Sequence, residues 1–458
     1  MVSAQQIPHP PRRVPLVGDI LGLDPVTPMQ ATMRMLRRLG PIYQRRILGT
    51  PIVFVSDPGM VAQVNDETVW EKHVGRPLQK LRPTLGDGLF TAHNDEPNWA
   101  KGHRILAPAF TAPAMRSYHA TMRETAHEMV ATWDSAPGYL DVADEMTKLT
   151  FETIGRVGFG YRFGAFSQAQ QDPFVTAMLR VLEFSQSAGM PVPGLDAVLN
   201  RKRIAANNAD IDTLHEVVQE VVAARRTEPD TRHSDLLELM LTSKDEDTGA
   251  VLDDANIVHQ VLTFLAAGYE TTSSALSFAL WFLATRPDVL EQAQQEVDAA
   301  WPDETLPNIT FEQVPKLRYL RRVIDESLRL WPTAPGYFRQ AKEHTSLGDY
   351  EFEAGASVLV VVLQLHRDVT VWGDDADEFN TDRFLPKNIK ARPGQSYKPF
   401  GTGMRACIGR QFAYHEMLIA LATLVRRYEF SVEDGYDLRV KEQLTLKPDG
   451  FRIKVRQR

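Results

Sequence analysis

Residues 253–284 set the first constraint on how this chain can fold. Asp253 or Asp254 can cap a helix there, and Pro287 stops it just beyond Ala284. About thirty residues is long for a globular helix, and apolar side chains fall on every face of this one. Such a rod has to be buried, so other elements must surround it. The composition can supply them, because 43% of the 458 residues are hydrophobic.

The flanking sequence reads as further helix interrupted by short strands. Helices are expected over 29–39, 99–105, 114–133, 146–158, 173–187, 203–226, 288–301, 315–330 and 410–428. Two short strands fit 42–56 around Gly49-Thr50-Pro51, and glycine-broken strands fit 337–362. A terminal hairpin is expected over 445–455, turning at Pro448-Asp449-Gly450. Residues 68–90 read as an irregular connection, 189–194 as a mobile loop and 244–247 as an exposed link. Nothing inside the chain reads as a linker or a repeat. The expected fold is therefore mainly α with small β-sheets, in a single domain over residues 1–458.

A net charge of −8 argues against nucleic acid as a partner. One cysteine excludes an intramolecular disulfide framework and suits a reducing compartment. Met1 to Pro15 is polar and proline-rich, with no signal peptide and no apolar run near the ~20 residues that span a bilayer. A soluble, cytoplasmic protein without a membrane anchor is expected.

The single cysteine, Cys407, lies in Phe400-Gly401-Thr402-Gly403-Met404-Arg405-Ala406-Cys407-Ile408-Gly409. A lone cysteine is usually a small buried hydrophobe. Here two glycines precede it and one follows, so the backbone can turn tightly and approach a flat partner. Arg405, successive loop N–H groups and the N-terminus of the 410–428 helix all favour thiolate over thiol. That is the chemistry of a metal ligand supplied from a turn.

Phe-x-x-Gly-x-Arg-x-Cys-x-Gly is filled at every fixed position, and it resembles the haem-binding loop of the cytochrome P450 superfamily. The resemblance implies the P450 fold, haem b, Cys407 as the iron's thiolate ligand and insertion of one oxygen atom from O2. Phe400, Gly401 and Gly409 would shape the cofactor loop.

Three further constellations agree with it. In Ala266-Ala267-Gly268-Tyr269-Glu270-Thr271-Thr272, small residues leave a gap on the face that carries Thr271. The Thr271 hydroxyl can bond back to the Ala267 carbonyl. The plain alternative is a small-residue helix crossing; the resemblance implies instead that Thr271 and Glu270 deliver protons and that Ala267 adjoins the haem. Glu326 and Arg329, at i and i+3, would alone read as a solvated pair. Apolar neighbours point to burial, and in the superfamily an Arg before the haem loop, here Arg383, closes a structural triad. Trp99, His103 and Arg405 could donate to the haem propionates. A helical His is as often an ordinary core or surface residue, and many relatives carry Arg at position 103.

The sequence is most similar to the haem domain of self-sufficient bacterial fatty-acid hydroxylases, from about Gly40 to Val455. It departs from them in three ways. No reductase follows Arg458, so a separate ferredoxin, flavodoxin or diflavin reductase is expected to pass electrons from NAD(P)H, unless the chain is an excised domain. Lys398 and Arg410 could meet an acidic carrier, although a solvated face explains either alone. The carboxylate-gripping Arg and Tyr of that branch correspond to Thr50 and Phe54, which cannot pair with a carboxylate; Arg45 and Arg46 lie close by on opposite strand faces. Tyr269 replaces a usual His. By the same resemblance Phe90 would cover the haem, and Leu78, Leu81, Leu85 and Ala334 would line the pocket, where the leucines also fit plain core packing.

The expected function is hydroxylation of an apolar small molecule, with a fatty acid as the first candidate. The alternatives are oxygenation of another apolar compound, such as a secondary metabolite, and a haem sensor or peroxygenase. The Glu270–Thr271 pair speaks against a peroxygenase.

Overall fold

The computed structural model describes residues 7–167, 172–187, 200–227 and 235–458. The segment 189–194 lies outside them. In chain order the longer helices are α1 (Pro28–Leu39), α2 (Pro97–Leu106), α3 (Ala112–Asp134), α4 (Val142–Phe159), α5 (Pro173–Ser187), α6 (Arg201–Thr227), α7 (Asp254–Thr285), α8 (Pro287–Ala300), α9 (Arg318–Leu330) and α10 (Arg410–Arg427). The strands are β1 (Ile42–Ile47), β2 (Thr50–Val55), β3 (Trp70–Lys72), β4 (Leu140–Asp141), β5 (Tyr337–Ala341), β6 (Thr345–Leu347), β7 (Tyr350–Phe352), β8 (Ser357–Val360), β9 (Tyr428–Val432), β10 (Val440–Glu442), β11 (Leu446–Pro448) and β12 (Arg452–Gln457).

The chain divides into two compact units. One comprises Met1–His73, Arg321–Cys407 and Asp437–Asp449; the other comprises Val74–Leu320, Ile408–Tyr436 and Gly450–Arg458. The first is built on a five-stranded sheet of order β1-β2-β8-β5-β3. Alternation sorts β2: Val53 and Val55 enter a core with Ile42, Trp70, Val358 and Val360, while Phe54 stacks on its cross-strand partner Tyr43, with ring centroids 4.7 Å apart.

The same unit holds a buried ionic cluster. Arg329 is 0% exposed, yet all five of its N–H donors are used. Nε and Nη2 bind the Glu326 carboxylate at 2.6 and 2.7 Å; Nη1 reaches the carbonyls of His366 and Ala376, and Nη2 that of Glu378. Arg383 closes the triad with Nε 3.6 Å from Glu326, and its Nη2 donates to the Asp375 carbonyl at 2.7 Å. Burial pushes the Glu326 carboxyl up, and the Arg329 guanidinium pulls it back.

The second unit is organised on α7. The Asp253 side chain accepts the Asn256 N–H at 2.8 Å, and the helix ends just before Pro287. Helix α4 packs along it: the Thr150 hydroxyl donates to the Tyr269 carbonyl at 3.0 Å, and the Phe151 and Tyr269 rings lie 4.5 Å apart. Between Asn256 and Leu280 the helix is buried except at His259, Ala267, Gly268 and Thr271. A three-stranded sheet, β4-β12-β9, belongs to the same unit.

Three sequence expectations are corrected. The terminal hairpin does not form: β11 pairs with β10, and β12 pairs with β9 and β4. The tyrosine and phenylalanine of β9, Tyr428 and Phe430, are buried and bring that strand to β12 in place of the local turn. Residues 68–90 are more regular than expected, with β3 paired to β5 and single helical turns at Arg76–Gln79 and Arg82–Leu85. Within 244–247, Asp245 is buried, because the Arg104 guanidinium grips it at 2.5 and 2.8 Å.

The cluster around Arg329 generates a stability prediction. Arg329→Met strands the Glu326 carboxylate and three carbonyls in a dry core, and should cost about 3–5 kcal/mol. Denaturant unfolding measures this; a midpoint within error of the parent would refute it.

Candidate active site

In the first unit, Cys407 sits at the end of a turn held by its own backbone. The Cys407 N–H donates to the Phe400 carbonyl at 2.9 Å, and the Ala406 N–H to that of Gly403 at 3.1 Å. Gly401 and Gly403 both have φ near +69°, which a side chain would strain; Gly409 has an ordinary φ of −83°. Cys407 is exposed, so the buried-hydrophobe alternative does not describe it. Arg405 is partly exposed on the same turn.

Two residues that the sequence did not single out hold this turn. The Glu67 carboxylate accepts the Met404 N–H at 2.9 Å, and a Cβ on Gly403 would stand 2.2 Å from that carboxylate. His366 accepts the Lys398 N–H on Nε2 at 2.8 Å, so its Nδ1–H donates to the Arg329 carbonyl at 3.2 Å. Burial, followed by the Arg329 charge, holds His366 neutral, as that tautomer requires. The Arg329 cluster is thereby tied to the irregular segment entering the cysteine turn. No local pattern marks Glu67 or His366, whose partners lie hundreds or tens of residues away.

In the second unit, the Thr271 hydroxyl donates to the Ala267 carbonyl at 2.9 Å, as the spacing predicted. Ala267, Gly268 and Thr271 form one partly exposed patch on an otherwise buried stretch. Gly268 also meets the plain alternative, since a Cβ there would touch Ile154 of α4 at 3.4 Å. Glu270 is buried. Its charge, after burial itself, raises the Tyr269 hydroxyl well above its ordinary value. Tyr269 is packed against Phe151 and acts here as core.

Trp99 and His103 are one turn apart on α2, partly exposed and stacked with centroids 5.3 Å apart. Phe90 and Leu78 are partly exposed, while Leu81 and Leu85 are 1% exposed, as plain core packing would have them. Ala334 is exposed. At the expected carboxylate position, Thr50 is exposed and Phe54 is buried against Tyr43. Arg45 is buried, with its guanidinium donating to the Asp19 and Gly22 carbonyls at 3.3 and 3.4 Å, while Arg46 is exposed.

The sequence profile of the family "Cytochrome P450" matches residues 8–455. The chain belongs to the cytochrome P450 family. It is 42% identical over its whole length to the bifunctional cytochrome P450/NADPH–P450 reductase 2 of Bacillus subtilis (strain 168), of which it spans 43%. It is 37% identical to the self-sufficient cytochrome P450 monooxygenase CYP505E3 of Phanerodontia chrysosporium, covering 98% of this chain and 42% of that protein. Thus the chain spans about two-fifths of the length of these relatives. A solved structure, the cytochrome P450 CYP102L1, superposes with a TM-score of 0.92 at 43% identity, covering 99% of both chains. The P450 fold is therefore the fold of this chain. Among the described residues, no helix is long and apolar enough to cross a membrane.

The residues fit the haem of this family on their own chemistry. A thiol at the exposed end of a pinned turn is a soft donor of the kind that haem iron takes. The small side chains at Ala267 and Gly268 leave space beside a hydroxyl on α7.

One buried acid carries no mark in the sequence. Glu416 on α10 is 3% exposed, and burial pushes its carboxyl up to about 8 against the Thr153 hydroxyl. Its neighbour His415 is lowered to about 4 by burial and by His119. His119 donates Nε2–H to the Ile309 carbonyl at 2.8 Å, so its Nδ1 accepts from His415 Nε2 at 2.9 Å. The two effects on stability have opposite signs. Glu416 binds a proton more tightly folded than unfolded, so its contribution is lost as pH rises from the carboxylate range through about 8. The His415 contribution is lost as pH falls from 6.5 through about 4. Above pH 6.5 the Glu416 effect remains. Urea unfolding should therefore give lower stability at alkaline pH than at pH 6.5, and Glu416→Gln should remove most of that difference. An unaltered pH slope in the variant would contradict the assignment.

Proposed function

We propose that the protein is a haem-dependent monooxygenase that uses O2 to oxidise an apolar small molecule. The observation that carries this reading is the exposed Cys407 thiol on its backbone-pinned turn. Cys407 would hold haem b as thiolate, with Trp99, His103 and Arg405 donating to the propionates and Phe400, Gly401 and Gly409 shaping the loop. Bound haem supplies the activation of O2, to which a thiolate ligand contributes electron density. The electrons come from NADPH through a P450 reductase, the activity named beside the P450 in the first relatives. A cytoplasmic location matches the single cysteine, which leaves no intramolecular disulfide.

The chain's own part is to move protons and place the substrate. The Thr271 hydroxyl rests on the Ala267 carbonyl and leaves its lone pairs to accept from water. Glu270 takes up a proton from solvent and releases it to that water, and the water returns to Thr271 the proton that its hydroxyl gives up on the substrate side. The small side chain of Ala267 gives the water room, while the partly exposed Phe90 and Leu78 hold the substrate by shape and Leu81 and Leu85 stay in the core. Thr271→Ala should leave NADPH consumption running while the product formed per NADPH falls about tenfold. Equal coupling in variant and parent would remove Thr271 from proton delivery.

The substrate class is a fatty acid or another long apolar molecule. The second alternative has an observation in its favour: Phe54 is buried against Tyr43, and Arg45 spends its donors on backbone carbonyls. The test is titration of the holoprotein with laurate, palmitate and their uncharged methyl esters, following the haem absorption and then the products. A spectral shift and hydroxylated acid favour the fatty-acid reading. A shift with the esters alone favours the uncharged class, and no shift or product with any of them rejects both.

A further inference from the structure

One side chain interrupts the burial of α7 well before the Ala267–Thr271 patch, and it is titratable: His259. Its Nδ1 lies 2.8 Å from Oδ1 of Asp87, and the two side chains are 23% and 24% exposed. Asn256 donates to the same oxygen at 2.8 Å, and Asn98 donates to Oδ2 at 2.6 Å. One turn on, Gln260 accepts the Leu89 N–H at 3.1 Å. The segment Gly86-Asp87-Gly88-Leu89-Phe90 is thus fastened to α7 through both a side chain and the backbone.

The segment is also shaped to lie against that helix face. Gly86 has φ +49°, and a Cβ on it would collide with the His259 ring at 2.2 Å. A Cβ on Gly88 would stand 2.2 Å from the Thr263 hydroxyl. Both glycines allow a close approach that no other residue permits. Behind them the Thr91 hydroxyl donates to the Gly86 carbonyl at 2.9 Å, and Arg82 donates to the Thr91 carbonyl at 2.7 Å.

Residues 256, 260, 263, 267 and 271 share one stripe of α7 by helical spacing, with His259 at its edge. The helix is continuous from Asp254 to Thr285. The attachment of the Phe90 segment and the Ala267–Thr271 patch are therefore two marks on one rod, about 18 Å apart along its axis. Phe90 itself is partly exposed.

We propose that Asp87 and His259 form a positioning pair that sets where Phe90 stands relative to Ala267 and Thr271, and so which carbon of an apolar substrate is oxidised. The proposal rests on the reading that Phe90 and Thr271 face the substrate. Asp87 and His259 touch no substrate; they act through Phe90. Loss of the pair releases the segment, and the substrate then presents several carbons where it had presented few.

The experiment uses the holoprotein and the variants His259→Phe, Asp87→Asn, the double variant and Phe90→Ala. His259→Phe keeps the ring against Gly86 and removes the donor. Hydrogen exchange of residues 86–92 is read first, without substrate, and integrity is read from the reduced carbonyl band and the thermal midpoint. Each single variant should exchange about tenfold faster over 86–92, with the rest of α7 unchanged, and the double variant should add little more. Product ratios with the substrate that gives the strongest spectral shift should then move at least about threefold in both single variants, in the direction that Phe90→Ala moves them. Unchanged exchange overturns the clamp. Faster exchange with unchanged product ratios, while Phe90→Ala does shift them, overturns the specificity role alone. Absence of any oxygenated product from the parent rejects the proposed function and the specificity role with it, a result separable from failure of the clamp because exchange is measured without turnover.

Discussion

A guanidinium taken fully out of water at residue 329 is the constraint on which the first unit depends. Its charge tolerates that position only because every donor finds an oxygen, and those oxygens come from three separate stretches of chain: Glu326, His366, and Ala376 to Glu378. Satisfying one buried residue therefore dictates the course of the backbone over fifty residues. The same backbone continues into His366, whose second nitrogen receives the Lys398 N–H just ahead of Phe400. Buried ion pairs contribute little to net stability against an apolar replacement. The role of this one is better described as organisation: it specifies one path for the segment that ends in the cysteine turn.

The second unit uses a different device. Helix α7 is buried on nearly all sides, so its few partly exposed positions stand out as places where the fold has left something open. Three of them bear the small residues and the hydroxyl, and the fourth is His259. Thr271 keeps its hydroxyl bonded inside the helix, so the patch stays satisfied without any ligand. In the proposed role, a hydroxyl already held on this rod beside a buried acid would need little rearrangement to move a proton.

Much of this was legible in the sequence, for a physical reason. The Cys407 turn, the α7 cap and the Ala267–Thr271 bond are local: each is set by residues within a few positions of one another, so spacing alone reveals them. The Glu326–Arg329 pair was legible because apolar neighbours signalled its burial. Glu67, His366 and Asp87 were not singled out. Each is a polar residue whose partner lies far along the chain, and no periodicity separates it from solvated residues of the same type. The terminal hairpin failed for the converse reason, since a strong local turn at Asp449-Gly450 lost to long-range pairing of β12 with β9. The charged neighbours of Asp245 signal exposure, and only the fold brings Arg104 of α2 to it. Tyr269 stood out only as a replaced residue, and its packing against Phe151 of α4 explains why an aromatic suits that position.

The contact between Glu67 and Gly403 carries an implication for how the protein is made. The unit that holds Cys407 is assembled from three stretches of chain, the first ending at His73 and the last beginning at Asp437. Glu67 leaves the ribosome more than three hundred residues before the turn it braces. Synthesis at about 5–20 residues per second then leaves the early stretch waiting many seconds for its partner. During that interval β1 and β2 can pair with each other but β2 lacks β8 on its other edge. The brace on the cysteine turn cannot form until Met404 has been made, and the edge of β2 stays open until β8 has been made.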